Sequence, residues 1–211
     1  MMTRRATPVL CAVVLVTVLA TACGHGGNSV SPLPANTTSA ATTSAALPHS
    51  GAPKVEHPLP ASVLSGAPCA TALTSQQLTT ILGIAPTGKP GSDAVGTTCN
   101  WDNSDKNSHV TVSYDTLDHA GLSSVYENTK PQAIVWKPLP AIQGFPAVAH
   151  VTTSGGDPSY FCQVTIGIAD DLAVDVSIAL SDAKRGKVDP CQVTAVAADM
   201  VVTNLRQKAG A

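Results

Sequence analysis

The chain reads as an α+β protein: one antiparallel sheet of five or six strands, carrying two or three helices mainly on one face and stapled by two disulfides. Three observations predict this. First, two consecutive segments alternate strictly. Cys162, Val164, Ile166 and Ile168 share one face, and after Asp170-Asp171 so do Leu172, Val174, Val176, Ile178 and Leu180. Second, the segment after Asp189-Pro190 carries apolar residues at helical spacing. Third, Cys69, Cys99, Cys162 and Cys191 are dispersed through the same region with no C-x-x-C pair, which favours disulfides over a metal site.

The elements follow in chain order. Met1 to Ala22 resembles a secretory leader, with Arg4 and Arg5 before an apolar run from Val9 to Ala20 that only Thr17 interrupts. That run is shorter than the about 20 apolar residues of a membrane span. It ends in Leu19-Ala20-Thr21-Ala22-Cys23-Gly24, similar to a bacterial lipobox, and predicts cleavage before Cys23 and acylation of that cysteine by palmitate-type chains. Ordinary cleavage at the A-x-A pattern, releasing an unacylated protein, is the alternative. Residues 23–66 are then the lipidated cysteine and a tether rich in Ser, Thr, Pro and Ala, whose only ions are Lys54 and Glu56. Such a composition predicts disorder.

Residues 67–211 are read as a single head domain. Thr74-Ser75-Gln76-Gln77 predicts a capping box opening a helix through Leu78, Ile81 and Leu82, stopped by Gly83. Cys99 to Trp101 and Val110 to Asp115, separated by a polar run, predict a hairpin. A short helix is expected from Asp118 to Asn128, then strands at 133–137 and 147–152. The last helix opens on an Asp189 N-cap with Pro190 at its first position. Val193, Val196, Ala197, Met200, Val201 and Leu205 are its expected sheet-facing stripe. Four cysteines allow three pairings. The placement of Cys69 before a helix and of Cys191 in the first turn of another favours Cys69 with Cys99 and Cys162 with Cys191.

Together, Pro68-Cys69, Cys99-x-Trp101, Phe161-Cys162-Gln163-Val164 with its acidic turn, and Asp189-Pro190-Cys191 resemble actinobacterial lipoproteins of the LprB and LprC kind, grouped as domain-of-unknown-function family 3558. The resemblance implies a lipoprotein on the extracytoplasmic side of the cell membrane. It implies no established activity and supplies no catalytic residues.

Composition narrows the function. The chain has 211 residues, is 12% charged and has a net charge of −2, and 22 of its 26 ions lie in the head. That balance argues against nucleic-acid binding, which needs a concentrated basic surface. No nucleophile elbow, zincin or phosphate-loop motif occurs. Asp115, Asp118 and His119, joined across strands by His109 or His150, are the one candidate acid–base cluster, and solvated turn residues are the competing account. Asp170-Asp171 is read as a turn rather than a calcium loop, and Lys184-Arg185-Gly186-Lys187 as a solvated basic loop. Trp136, Leu139 and Phe145, in the apolar loop 136–146, would form a partner or lipid contact if exposed together; covering an end of the sheet is the competing account. The expectation is therefore a non-catalytic module, without cofactor or metal, that is lipid-anchored at Cys23 and binds a protein, glycan or lipid ligand. The alternatives are an accessory subunit of an envelope complex and a hydrolase using Asp115, Asp118 and His119.

Overall fold

The computed structural model describes residues 46–211. The leader, Cys23 and the first part of the predicted tether lie outside the described residues. Seven strands form the sheet: β1 (Lys89–Ser92), β2 (Gly96–Asn103), β3 (Ser108–Asp115), β4 (Ala133–Ile142), β5 (Phe145–Thr152), β6 (Phe161–Ala169) and β7 (Leu172–Ala179). Their spatial order is β1-β2-β3-β7-β6-β5-β4, with every neighbouring pair antiparallel. Four helices accompany them: α1 (Pro68–Thr71), α2 (Ser75–Leu82), α3 (Leu122–Ser124) and α4 (Pro190–Ala209). Helix α3 continues as a π-turn over Val125–Thr129.

The antiparallel α+β class is as expected, and the counts are larger by one strand and one helix. Strand β1 reads Lys-Pro-Gly-Ser and is exposed throughout, so no apolar alternation marks it. Helix α1 is a single turn. Strands β4 and β5 extend the expected strands at 133–137 and 147–152 toward each other, to Ile142 and back to Phe145. Pro138 and Pro140 obscured β4. They are tolerated because β4 is an edge strand, where a missing donor can face away from the partner. The hairpin turn is Gln143-Gly144, both at positive φ (50° and 91°), the backbone that a two-residue turn requires and glycine adopts without cost.

The core lies between the sheet and its helices. Cys99, Trp101, Val110, Val112, Tyr114, Val164, Ile166, Val174, Val176 and Ile178 are buried, with register pairs such as Cys99–Val112–Val176–Val164 running across four strands. Cys69 is bonded to Cys99 and Cys162 to Cys191, with Cα–Cα separations of 5.1 and 5.0 Å. The stripe expected on α4 packs against the core except at Val196. Residues one, two, three and four turns beyond Cys191 fall near 194, 198, 202 and 205, and Thr194, Ala198, Val202 and Leu205 are buried together with Ala197 and Val201. Val196 is instead 58% exposed, and Val193 and Met200 are half-buried. Val193 and Met200 still pack against the core, so the spacing marked the packed side of the helix and missed Thr194, Ala198 and Val202, which widen it.

The predicted tether needs a second correction, because its last part belongs to the head. Val55, Leu59, Val63 and Leu64 are buried. The Leu59 amide donates to the Ile168 carbonyl at 2.9 Å, and the Val55 amide to Asp170 Oδ1 at 2.8 Å. A 3-10 turn at Ala61–Leu64 packs against α4, and Lys208 Nζ donates to the Ser65 carbonyl at 2.6 Å. Gly167 permits this strap to lie close. A Cβ there would stand 2.9 Å from Leu122 Cδ1 and 3.3 Å from Val55 Cγ2. Four apolar residues diluted among Pro, Gly and Ser do not change a compositional average, yet they suffice to order the strap.

Two predictions test this frame. Replacing Cys162 and Cys191 together by Ser is expected to cost about 3–4 kcal/mol of stability in chemical denaturation. Hydrogen exchange should then rise first in α4; uniform exposure of the whole sheet would contradict the role assigned to this bond. Leu64→Ala is expected to cost about 2–5 kcal/mol, as for a buried core leucine, whereas a solvated tether would register under about 0.5 kcal/mol.

Candidate functional site

Side chains on the sheet face opposite α4 are mostly polar. Register places Thr165, Asp175 and Ser113 side by side across β6, β7 and β3. The Thr165 hydroxyl donates to Asp175 Oδ1, and His150 Nε2 lies 2.9 Å from the same hydroxyl. Because that hydroxyl has only one proton to give, His150 is the donor in its pair, which fixes the Nε2–H tautomer. The ring is 3% exposed, and burial lowers its pKa, opposed by the Asp175 charge. Trp136 stacks over His150 with centroids 6.1 Å apart, and Tyr126 meets Trp136 edge-on at 5.0 Å. Lys130 Nζ sits 5.2 and 5.6 Å from those two rings.

Asp115 lies diagonally from Asp175, because its direct partner on β7 is Ala173. Burial holds its carboxyl far above the usual carboxylate range, reinforced by the charge of Asp175, a hydrogen bond to it, and the charges of Asp93 and Asp118. Asp115 is therefore protonated at neutral pH and donates to Asp175, while its Oδ1 has no protein partner. Asp93, next outward, is held by the Val95 and Gly96 amides at 3.0 and 2.9 Å and by the Ser113 hydroxyl at 3.2 Å. Chemically, the chain from His150 through Thr165 and Asp175 to Asp115 stores one proton inside the sheet's second layer. Asp175, Thr165 and Asp93 escaped sequence reasoning. They lie far apart in the chain, and only strand register makes them neighbours.

The members of the predicted acid–base cluster differ in burial. Asp115 is buried, whereas Asp118 and His119 are exposed in the following turn, where Asp118 Oδ1 accepts from the Ala120 amide at 3.2 Å. His109 is half-buried on the same polar face, beside Asp102 and Asn107. The predicted partner patch is also divided. Trp136 faces the polar side with His150, Leu139 packs against the main core and Phe145 is buried in it. Strand alternation sends positions 136 and 139 to opposite faces. Asp170 closes the β6–β7 turn and holds the strap, as a turn residue rather than part of a cation loop. Arg185 in the basic loop lies over Tyr160, 3.8 Å from the ring centroid, and pairs with Asp182 at 3.3 Å. Among the described residues no cluster of three His, Cys, Asp or Glu side chains is arranged to hold a metal.

Three clefts are open to solvent. One lies between α2, the β2–β3 turn and the start of α4; a second between the strap, the β4–β5 turn and the end of α4; a third is shallow and polar beside His109. None includes the Asp115–Asp175 pair, of which Asp115 is buried and Asp175 half-buried. That pair has a thermodynamic signature. A carboxyl whose folded pKa lies above its unfolded value of about 3.9 contributes stability that is fully present below that value and is lost as pH rises. Measured against Asp115→Asn, which keeps the donor and removes the titration, the wild type should lose up to about 1.4 kcal/mol per pH unit above pH 4. Parallel stability curves for the two proteins between pH 4 and 8 would refute the protonated state.

No curated protein and no solved structure matches the chain. A family model described as "Protein of unknown function (DUF3558)" matches residues 18–204 and so spans both cystines, all seven strands and most of α4. The chain belongs to this family of proteins of unknown function.

Proposed function

We propose that the protein is an extracytoplasmic lipoprotein of an actinobacterial cell envelope, anchored by acylated Cys23, whose head binds a ligand or partner without catalysing a reaction. The observation that carries this reading is the pair of cystines in a head that follows a leader ending in a lipobox-like Ala20-Thr21-Ala22-Cys23. Two cystines about thirty residues apart in sequence suit an oxidising compartment outside the cytosol. No helix among the described residues is long and apolar enough to cross a membrane; attachment in this reading is carried by the acyl chains, and two or more are needed for stable anchoring.

A binding role fits the distribution of polar groups better than the alternatives. The hydrolase reading asks Asp115, Asp118 and His119 to act on one substrate, and Asp115 is buried and bonded to Asp175 while the other two are exposed to solvent. The accessory-subunit reading asks for a flat patch near Trp136, and that ring packs with Tyr126 and His150 while Leu139 and Phe145 lie with the main core. The clefts, by contrast, combine apolar walls with a few polar groups, the usual make-up of small-ligand sites.

Intact-mass measurement of the membrane-extracted protein tests the anchor. The expected species begins at Cys23 and carries a diacylglyceryl thioether, and Cys23→Ser should move the protein from the membrane to the soluble fraction. An unacylated species beginning at Cys23 would overturn the assignment.

A further inference from the structure

The cleft between α2 and α4 has a charge pattern that selects its occupant. It is formed by the end of α2, the β2–β3 turn, the end of β7 and the first turns of α4, and its volume is about 270 Å³. Leu82, Ile178 and Leu180 make a buried apolar floor, with Ile81 and Val193 half-buried beside them. Its only charged lining residues are Lys106 and Lys184, both exposed at the rim. Neither ammonium has an ion-pair or cation–π partner among the described residues. The nearby carboxylate of Asp182 is already engaged, by Asn107 Nδ2 at 2.7 Å and Arg185 at 3.3 Å. Two nearly buried serines, Ser108 and Ser181, add hydroxyl donors to the same lining.

An apolar floor excludes a ligand that is polar throughout, and two lysines without a lining acid favour a negative head over a positive one. Size narrows the choice further. At about 270 Å³ the cleft lies just below the ~300–1,000 Å³ of sites that bury a drug-sized ligand, so it suits one short chain and not a folded peptide. The geometry points to a site for a short single-tailed amphiphile with an anionic head, its chain on Leu82, Ile178 and Leu180 and its head between Lys106 and Lys184. This inference deepens the binding role proposed above and rests on it, but it is independent of how the protein is anchored.

The test is photo-crosslinking of the full chain in lipid nanodiscs with octanoate that carries a diazirine on its tail, the adducts being mapped by peptide mass spectrometry. Labelling is expected on peptides containing Thr80–Gly83, Ile178–Lys184 or Val193. Unlabelled octanoate or octyl phosphate should compete, and whichever competes better identifies the head group as carboxylate or phosphate. Octylammonium should not compete. Lys106→Ala with Lys184→Ala should weaken labelling about tenfold, as two partly exposed ion pairs would. Ala183→Trp, on the exposed loop wall, should block the cleft without touching the core. Labelling scattered over the surface, equal competition by octylammonium, or indifference to both variants would overturn the site. Such a failure would leave the intact-mass result on Cys23 untouched, so the two readings fail separately.

Discussion

The Cys162–Cys191 bond is the constraint on which the arrangement of the head depends. It ties the first turn of α4 to the central part of the sheet and thereby sets the rotation of a twenty-residue helix. Every buried residue of α4 follows from that phase: Thr194, Ala197, Ala198, Val201, Val202 and Leu205 all continue the line that Cys191 begins. Thr194 shows how close the contact is, since its hydroxyl lies 2.8 Å from the Pro190 carbonyl and 3.3 Å from that of Cys162. Once α4 is placed, the other helices are placed against it. Asn204 donates to the Ala72 carbonyl and exchanges side-chain hydrogen bonds with Gln77, so α1 and α2 are registered on α4 as well as through the Cys69–Cys99 bond.

The opposite face of the sheet is organised by a different principle. Its centre is polar, and it is covered only where α3, the π-turn and the strap lie over β5 and β6, with Leu122, Val125 and Val148 as a small separate core. A carboxyl pair beneath such partial cover is stable because one member keeps its proton and donates it to the other. Two ionised groups at that depth would carry a heavy desolvation and repulsion cost. The strap joins the two layers: Val55 reaches Asp170 at the turn between β6 and β7, and Leu59, Val63 and Leu64 continue into the main core beside α4.

How much of this was legible depended on whether the signal was local. The Thr74 capping box, the Asp189 cap with Pro190, and the alternation of β6 and β7 were all visible, because each is set by a few neighbouring residues. Strand β1 and the strap were hidden, the first because Lys-Pro-Gly-Ser has no pattern to read and the second because its four apolar anchors are spaced among turn-forming residues. The candidate sites were less legible still. Asp115 was noticed for its nearness in sequence to Asp118 and His119, yet its working partners are Asp175 and, through it, Thr165 and His150.

The sequence by itself determined the antiparallel α+β class and the cystine-rich character of the head, since each is written in spacing or short motifs. Tertiary structure decided where the head begins, which face each aromatic residue serves and which polar groups meet. Those outcomes depend on strand register and cross-links between distant positions. A shift of one residue in register reverses every side chain on a strand, and no local pattern records it.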